Sequence, residues 1–71
     1  MRYERGRKRS YYINGQAASE RQAMERVSAA HVNAGGEPLT ITAFRAHCAS
    51  EEGREMLNEM SGHTVEIFAN D

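Results

Sequence analysis

Four side chains in this chain have the chemistry to hold a metal or to activate a nucleophile: His31, His47, Cys48 and His63. A structural zinc site draws its ligands in spaced pairs such as CxxC or HxxxH, because one turn must present two of them to the same ion. None of the four forms such a pair. His47 and Cys48 are adjacent, so on a helix they point about 100° apart. Cys48 beside His47 or His63 is the raw material of a thiolate–imidazole couple. However, Cys48 shares a helical face with Ile41 and Phe44, the setting of a thiol that packs as a small apolar group. Gly35-Gly36 lacks the lysine that follows the glycines of a phosphate-binding loop. Large apolar residues are too few to build both a core and a deep substrate pocket. The expectation is a non-enzymatic protein with no catalytic residue, metal ligand or cofactor.

What remains is recognition by charge, and the charges are sorted along the chain. Residues 1–9 hold Arg2, Arg5, Arg7, Lys8 and Arg9 against Glu4, a net of +4. Residues 10–49 are balanced, with three arginines and three glutamates. Residues 50–71 hold Arg54 against Glu51, Glu52, Glu55, Glu59, Glu66 and Asp71, a net of −5. The overall −1 conceals this polarity. A positive stretch attracts polyanions or acidic surfaces, and a negative stretch attracts basic ones.

Each stretch defines a candidate site. In the acidic one, Glu51, Glu52, Glu55, Glu59 and Glu66 form a surface for a basic partner protein, including a groove that otherwise holds nucleic acid; carboxylates replacing phosphates would steer that encounter. The plainer alternative is a solvated helix face in which Arg54 partly offsets repulsion. In the basic one, Arg5, Arg7, Lys8 and Arg9 neutralise phosphates while Tyr11 and Tyr12 stack on bases. Here the plainer alternative is a solvated tail, and the overall charge is not that of a dedicated nucleic-acid binder. Two short helices across residues 42–60 also invite a helix-turn-helix comparison. The second of them would enter the groove leading with Glu51 and Glu52, which phosphates repel.

These candidates need elements to carry them. Ser10–Asn14 reads as a strand, because Tyr-Tyr-Ile favours extended backbone and Asn14-Gly15 ends it in a turn. Ser19 followed by Gln22 is a capping box and starts the first helix. Ala23, Val27, Ala30 and Ala34 fall on one stripe of that helix, flanked by Met24 and His31. Gly35-Gly36 and Pro38 stop it. Thr40 or Thr42 caps a second helix running through Ala49. One straight helix over residues 42–60 would set Met60 about 160° from Phe44, so a break is expected near Ser50. Ser50 then caps a third helix with Glu51 and Glu52 in its first turn, where the helix dipole favours acids. Met56, Leu57 and Met60 form its apolar stripe, and Ser61-Gly62 ends it. Thr64–Phe68 is a closing strand with Val65 and Ile67 on one side.

The sequence therefore predicts an α+β fold in the order β-α-α-α-β, with a small two- or three-stranded sheet packed on three helices. Residues 1–9 form a basic N-terminal arm or edge strand, and residues 10–71 form one small domain. A third strand would come from the basic arm, a second copy or a partner protein. With 71 residues and a single cysteine, no internal disulfide supports the small core. That composition fits a cytoplasmic protein without a membrane span or signal peptide. The strand, Asn-Gly turn and capped helix recur in many unrelated small proteins and carry no residue roles. The leading functional expectation is a protein-interaction module acting through the acidic face, a small regulator or inhibitor of phage or mobile-element type. The alternative is a nucleic-acid binder using the basic arm, and homodimerisation by strand pairing is a third.

Overall fold

The computed structural model describes residues 8–70. In chain order it contains β1 (Lys8–Ile13), β2 (Gln16–Ala18), α1 (Glu20–Asn33), α2 (Ile41–Cys48), α3 (Glu51–Met60) and β3 (Val65–Asn70). The strands form one antiparallel sheet in the order β2-β1-β3. This is the expected α+β class, with three strands and three helices. The third strand has an unexpected source. It is the segment directly after Asn14-Gly15, whose φ angles of +53° and +83° make a two-residue turn of the type that closes tight hairpins. The first strand also begins two residues earlier than its sequence suggests, at Lys8.

The helix starts follow local hydrogen-bond chemistry. Ser19 Oγ accepts from the Gln22 N–H at 3.1 Å, and Gln22 Oε1 accepts from the Ser19 N–H at 2.9 Å, completing the capping box. Thr40 caps α2 through the Ala43 N–H, and Ser50 caps α3 through the Gly53 N–H. The break near Ser50 falls where the misaligned apolar stripes require it. After α1, the Ser28 hydroxyl accepts from the Leu39 N–H at 2.9 Å and holds the connecting segment against the helix.

All three helices cover the same side of the sheet. The core joins Ala23 and Val27 of α1, Phe44 and Cys48 of α2, Leu57 of α3, and Val65 and Ile67 of β3. Tyr11, Ile13, Met24, Leu39, Ile41 and Met60 pack at its margin. The predicted stripe on α1 is shorter than its alanine pattern: Ala23 and Val27 are buried, whereas Ala34 is the exposed C-cap. On α3 the buried line runs through Gly53 and Leu57, leaving Met56 48% exposed. Gly53 is needed there because α3 crosses the end of α2 with no room for a side chain. A Cβ at this position would lie 2.0 Å from the His47 carbonyl oxygen.

Candidate site: a groove between the third helix and the edge strand

Strand alternation divides the sheet residues between two faces. On β1, Arg9, Tyr11 and Ile13 lie on the helix-covered face and Tyr12 on the open face. On β3, Val65, Ile67 and Ala69 lie on the covered face, and Glu66 and Phe68 on the open one. Tyr11 and Tyr12 therefore separate. Tyr11 stacks on Phe44 with ring centres 6.1 Å apart, at the margin of the core. Tyr12 meets Phe68 edge-on at 5.8 Å on the open face, where Phe68 remains 51% exposed.

The same alternation directs the backbone of β3. Asn14 N–H donates to the Thr64 carbonyl at 2.8 Å, and the register pairs Tyr12 with Glu66 and Ser10 with Phe68. In an antiparallel ladder every second residue turns its N–H and C=O toward the neighbouring strand. Glu66 and Phe68 therefore face β1, and Val65, Ile67 and Ala69 face outward. Val65 confirms the direction, since both of its outward groups are taken by side chains from the end of α3. Its N–H donates to Ser61 Oγ at 3.0 Å, and its carbonyl accepts from Asn58 Nδ2 at 2.7 Å. Ile67 and Ala69 have no such partner among the described residues.

Beside this edge runs an open groove of about 420 Å³, lined by Glu51, Arg54, Glu55 and Asn58 of α3 and by Glu66 to Ala69 of β3. Ile67 is only 7% exposed, its side chain being in the core. What it offers the groove is its backbone. Asn58 organises the upper end. Besides Val65, it engages His63 Nδ1 through Oδ1 at 2.8 Å, and its carbonyl accepts from the His63 N–H at 2.8 Å. These bonds hold His63 at a φ of +65°, in the left-handed region that a non-glycine residue rarely occupies. Arg54 donates through Nη1 to the Cys48 carbonyl at 2.9 Å, at the C-terminal end of α2.

Three of the five sequence-selected acidic residues border one groove: Glu51 and Glu55 from α3, and Glu66 from β3, whose side chain strand alternation puts on the open face. Glu52 and Glu59 are exposed on α3 but do not line it. In the basic set, Lys8 and Arg9 lie in β1, and Arg5 and Arg7 fall outside the described residues. Lys8 pairs with Asn70 and Arg9 with Ala69, so the described end of the basic stretch lies beside the C-terminal end of β3 in the sheet. Asn58, Ser61 and Gly53 are the groove-building residues that sequence reasoning missed. The available signal was Asn58 and Ser61 at the end of a short helix followed closely by a strand, a place where orphan backbone groups need side-chain partners.

Elsewhere the polar side chains make structural contacts. Arg45 holds Glu20 in a two-pronged pair, Nε to Oε2 at 3.0 Å and Nη2 to Oε1 at 2.9 Å, tying α2 to the start of α1. Hydrogen bonding from Arg45 keeps the Glu20 carboxyl below the ordinary glutamate range, with Arg9 and Tyr11 contributing. Burial raises the Tyr11 hydroxyl above its ordinary value. Burial also pushes the Cys48 thiol up to about 11, so it is protonated at neutral pH and sits fully buried beside Phe44. His31 Nδ1 bonds the Glu37 carbonyl at 2.8 Å. Among the described residues no three His, Cys, Asp or Glu side chains gather as metal ligands, and no helix is long and apolar enough to cross a membrane.

No protein-family model matches the chain, and no curated protein or solved structure matches it significantly. The fold and the groove alone define a class: a small two-layer α+β domain with an exposed edge strand bordered by an acidic helix.

Proposed function

We propose that this is a non-enzymatic protein-interaction module, a small regulator or inhibitor, which meets a basic surface of its partner through α3 and β3. The observation that carries this reading is the placement of Glu51 and Glu55 of α3 along a groove whose other wall is the outer edge of β3, at Ile67 and Ala69, with Glu66 bordering it from the strand. Carboxylates placed this way speed encounter with a cationic partner and select against acidic ones. The test compares affinity capture by the wild type and by the triple variant Glu51→Lys, Glu55→Lys, Glu66→Lys, with Glu52→Lys, Glu59→Lys as the off-groove control. A partner retained by the wild type and the control but lost by the triple variant is the expected result. An identical set of captured proteins for all three contradicts the reading.

A second reading, nucleic-acid binding, draws on Tyr12 and Phe68, which lie side by side on the open sheet face as stacking platforms do. Against it, Glu66 shares that face and is paired in register with Tyr12. Tyr11, half-buried against Phe44 on the helix-covered face, is not part of such a platform. A labelled single-stranded oligonucleotide separates the two readings. Binding that weakens with salt at a log–log slope of about −0.7 per phosphate contact favours the second, and no binding at low salt removes it.

A further inference from the structure

We infer that the partner enters the groove as an extended segment that adds a fourth, antiparallel strand to β3, with a basic–apolar–basic alternation at its centre. This inference rests on the acidic-groove reading above and specifies its mode of binding. The backbone supplies the first half of the argument. Val65 is closed to a newcomer, because Ser61 and Asn58 occupy its outward N–H and C=O. Ile67 and Ala69 are the next two outward-facing residues, and both border the groove. Two such residues offer two donors and two acceptors at the spacing of an antiparallel ladder, which an extended peptide satisfies with four hydrogen bonds.

Side-chain alternation supplies the second half. Residues directly opposite one another in a ladder project to the same face. The two peptide residues opposite Ile67 and Ala69 therefore project to the helix-covered face, toward the α3 wall that carries Glu51 and Glu55. Arginine or lysine fits both positions. The residue between them lies opposite Phe68 and projects to the open face, where the exposed Phe68 ring and Tyr12 favour an apolar side chain. Arg54 also borders the groove, but its guanidinium is engaged at the Cys48 carbonyl, and the two carboxylates of the α3 wall outnumber it.

A second copy of the chain is the competing occupant. Symmetric β3–β3 pairing would bring Glu51 and Glu55 of the two α3 helices toward one another across the joined sheet, where like charges repel. Charged side chains along an edge strand commonly serve to prevent such self-pairing. A cationic strand meets the opposite condition.

The experiment uses the full chain and a capped seven-residue peptide with arginine–valine–arginine at its centre and threonines on both sides. The control peptide is N-methylated at both arginines, which removes the two N–H groups that would face β3 and keeps the charge. Binding at low salt is followed by amide chemical shifts and hydrogen exchange. The expected result is protection of the Ile67 and Ala69 amides on titration, little change at Glu66 and Phe68, and binding at least about tenfold weaker for the control peptide. The variant Glu51→Gln, Glu55→Gln, checked for an unchanged circular dichroism spectrum, should also weaken binding by about tenfold. Equal binding of both peptides, with loss in the Gln variant, overturns strand addition while leaving the acidic surface as a docking site. No binding of either peptide overturns both. Concentration-dependent protection of Ile67 and Ala69 without peptide assigns the edge to a second copy and overturns the inference.

Discussion

The sheet has two edges, and they are built differently. The β2 edge is three residues long, and the alternation that pairs Ile13 with Gln16 and Tyr11 with Ala18 leaves Ala17 as its one outward-facing residue. Shortness alone blunts such an edge. The β3 edge is six residues long. Its first outward residue is covered by Ser61 and Asn58, and its next two open onto the acidic groove. One edge is closed by running out of strand, the other is half-closed by side chains. A fold that needed only protection from self-pairing has the first solution at hand. Stopping the coverage at Val65 leaves a defined length of backbone beside a charged wall.

This contrast can be broken in several ways. The largest effect is expected behind the β3 edge. Gly53→Ala would drive a Cβ into the backbone of His47, so α3 must shift off α2 and carry the groove wall with it. A loss of at least about 3 kcal/mol is expected, the upper end of overpacking penalties, because backbone yields less than a flexible side chain. Urea unfolding measures it, and a midpoint equal to wild type would mean the two helices do not meet as described. Next in size is Asn58→Ala, which strips the Val65 carbonyl and His63 of their partner. A cost of about 1–3 kcal/mol is expected, with faster exchange at His63, whose N–H sits in the same turn. Wild-type stability in this variant would show that Val65 is not closed by Asn58.

A smaller effect concerns the Glu20–Arg45 pair, away from both edges. The folded carboxyl titrates below its unfolded range, so the pair stabilises the fold at neutral pH, and that contribution is lost as pH falls through the folded value. The melting temperature of the wild type should drop more than that of Glu20→Gln between about pH 5 and about pH 3. The difference should be small, because Arg45 is exposed and Glu20 is partly open to solvent. Parallel pH profiles would remove the pair from the stability account. The smallest effect belongs to the β2 edge: Ala17→Lys should change stability by no more than about 0.5 kcal/mol, the range of ordinary surface substitutions. A clearly larger change would mean that this edge is engaged.

The sequence reveals these features unequally, for physical reasons. Ser19, Thr40 and Ser50 were legible as caps because a cap is a local event, settled within three residues of chain. Val65 and Ile67 were legible because alternation is local too. Gln16–Ala18 was not, since nothing in Gln-Ala-Ala favours extended backbone; the hairpin turn imposes it, and Asn14-Gly15 was the signal to follow through the turn. Gly53 gave no signal of its own, because only the crossing of α2 and α3 shows why a side chain is forbidden there. The acidic residues were visible as a group, but their division into Glu51, Glu55 and Glu66 at the groove and Glu52 and Glu59 outside it depends on how α3 lies along β3. That arrangement is set by contacts between residues far apart in sequence. Charge sorting along the chain says nothing of space for the same reason: β1 and β3 pair, and Lys8 and Arg9 lie beside Asn70 and Ala69.

The measurement that bears most directly on the open edge is amide hydrogen exchange along β3 in dilute solution without any partner. Glu66 and Phe68, bonded to β1, should be protected, and Ile67 and Ala69 should exchange markedly faster, giving alternating fast and slow positions from residue 66 to residue 69. Uniform protection of all four amides at low protein concentration would mean that the edge is already occupied and would contradict the account.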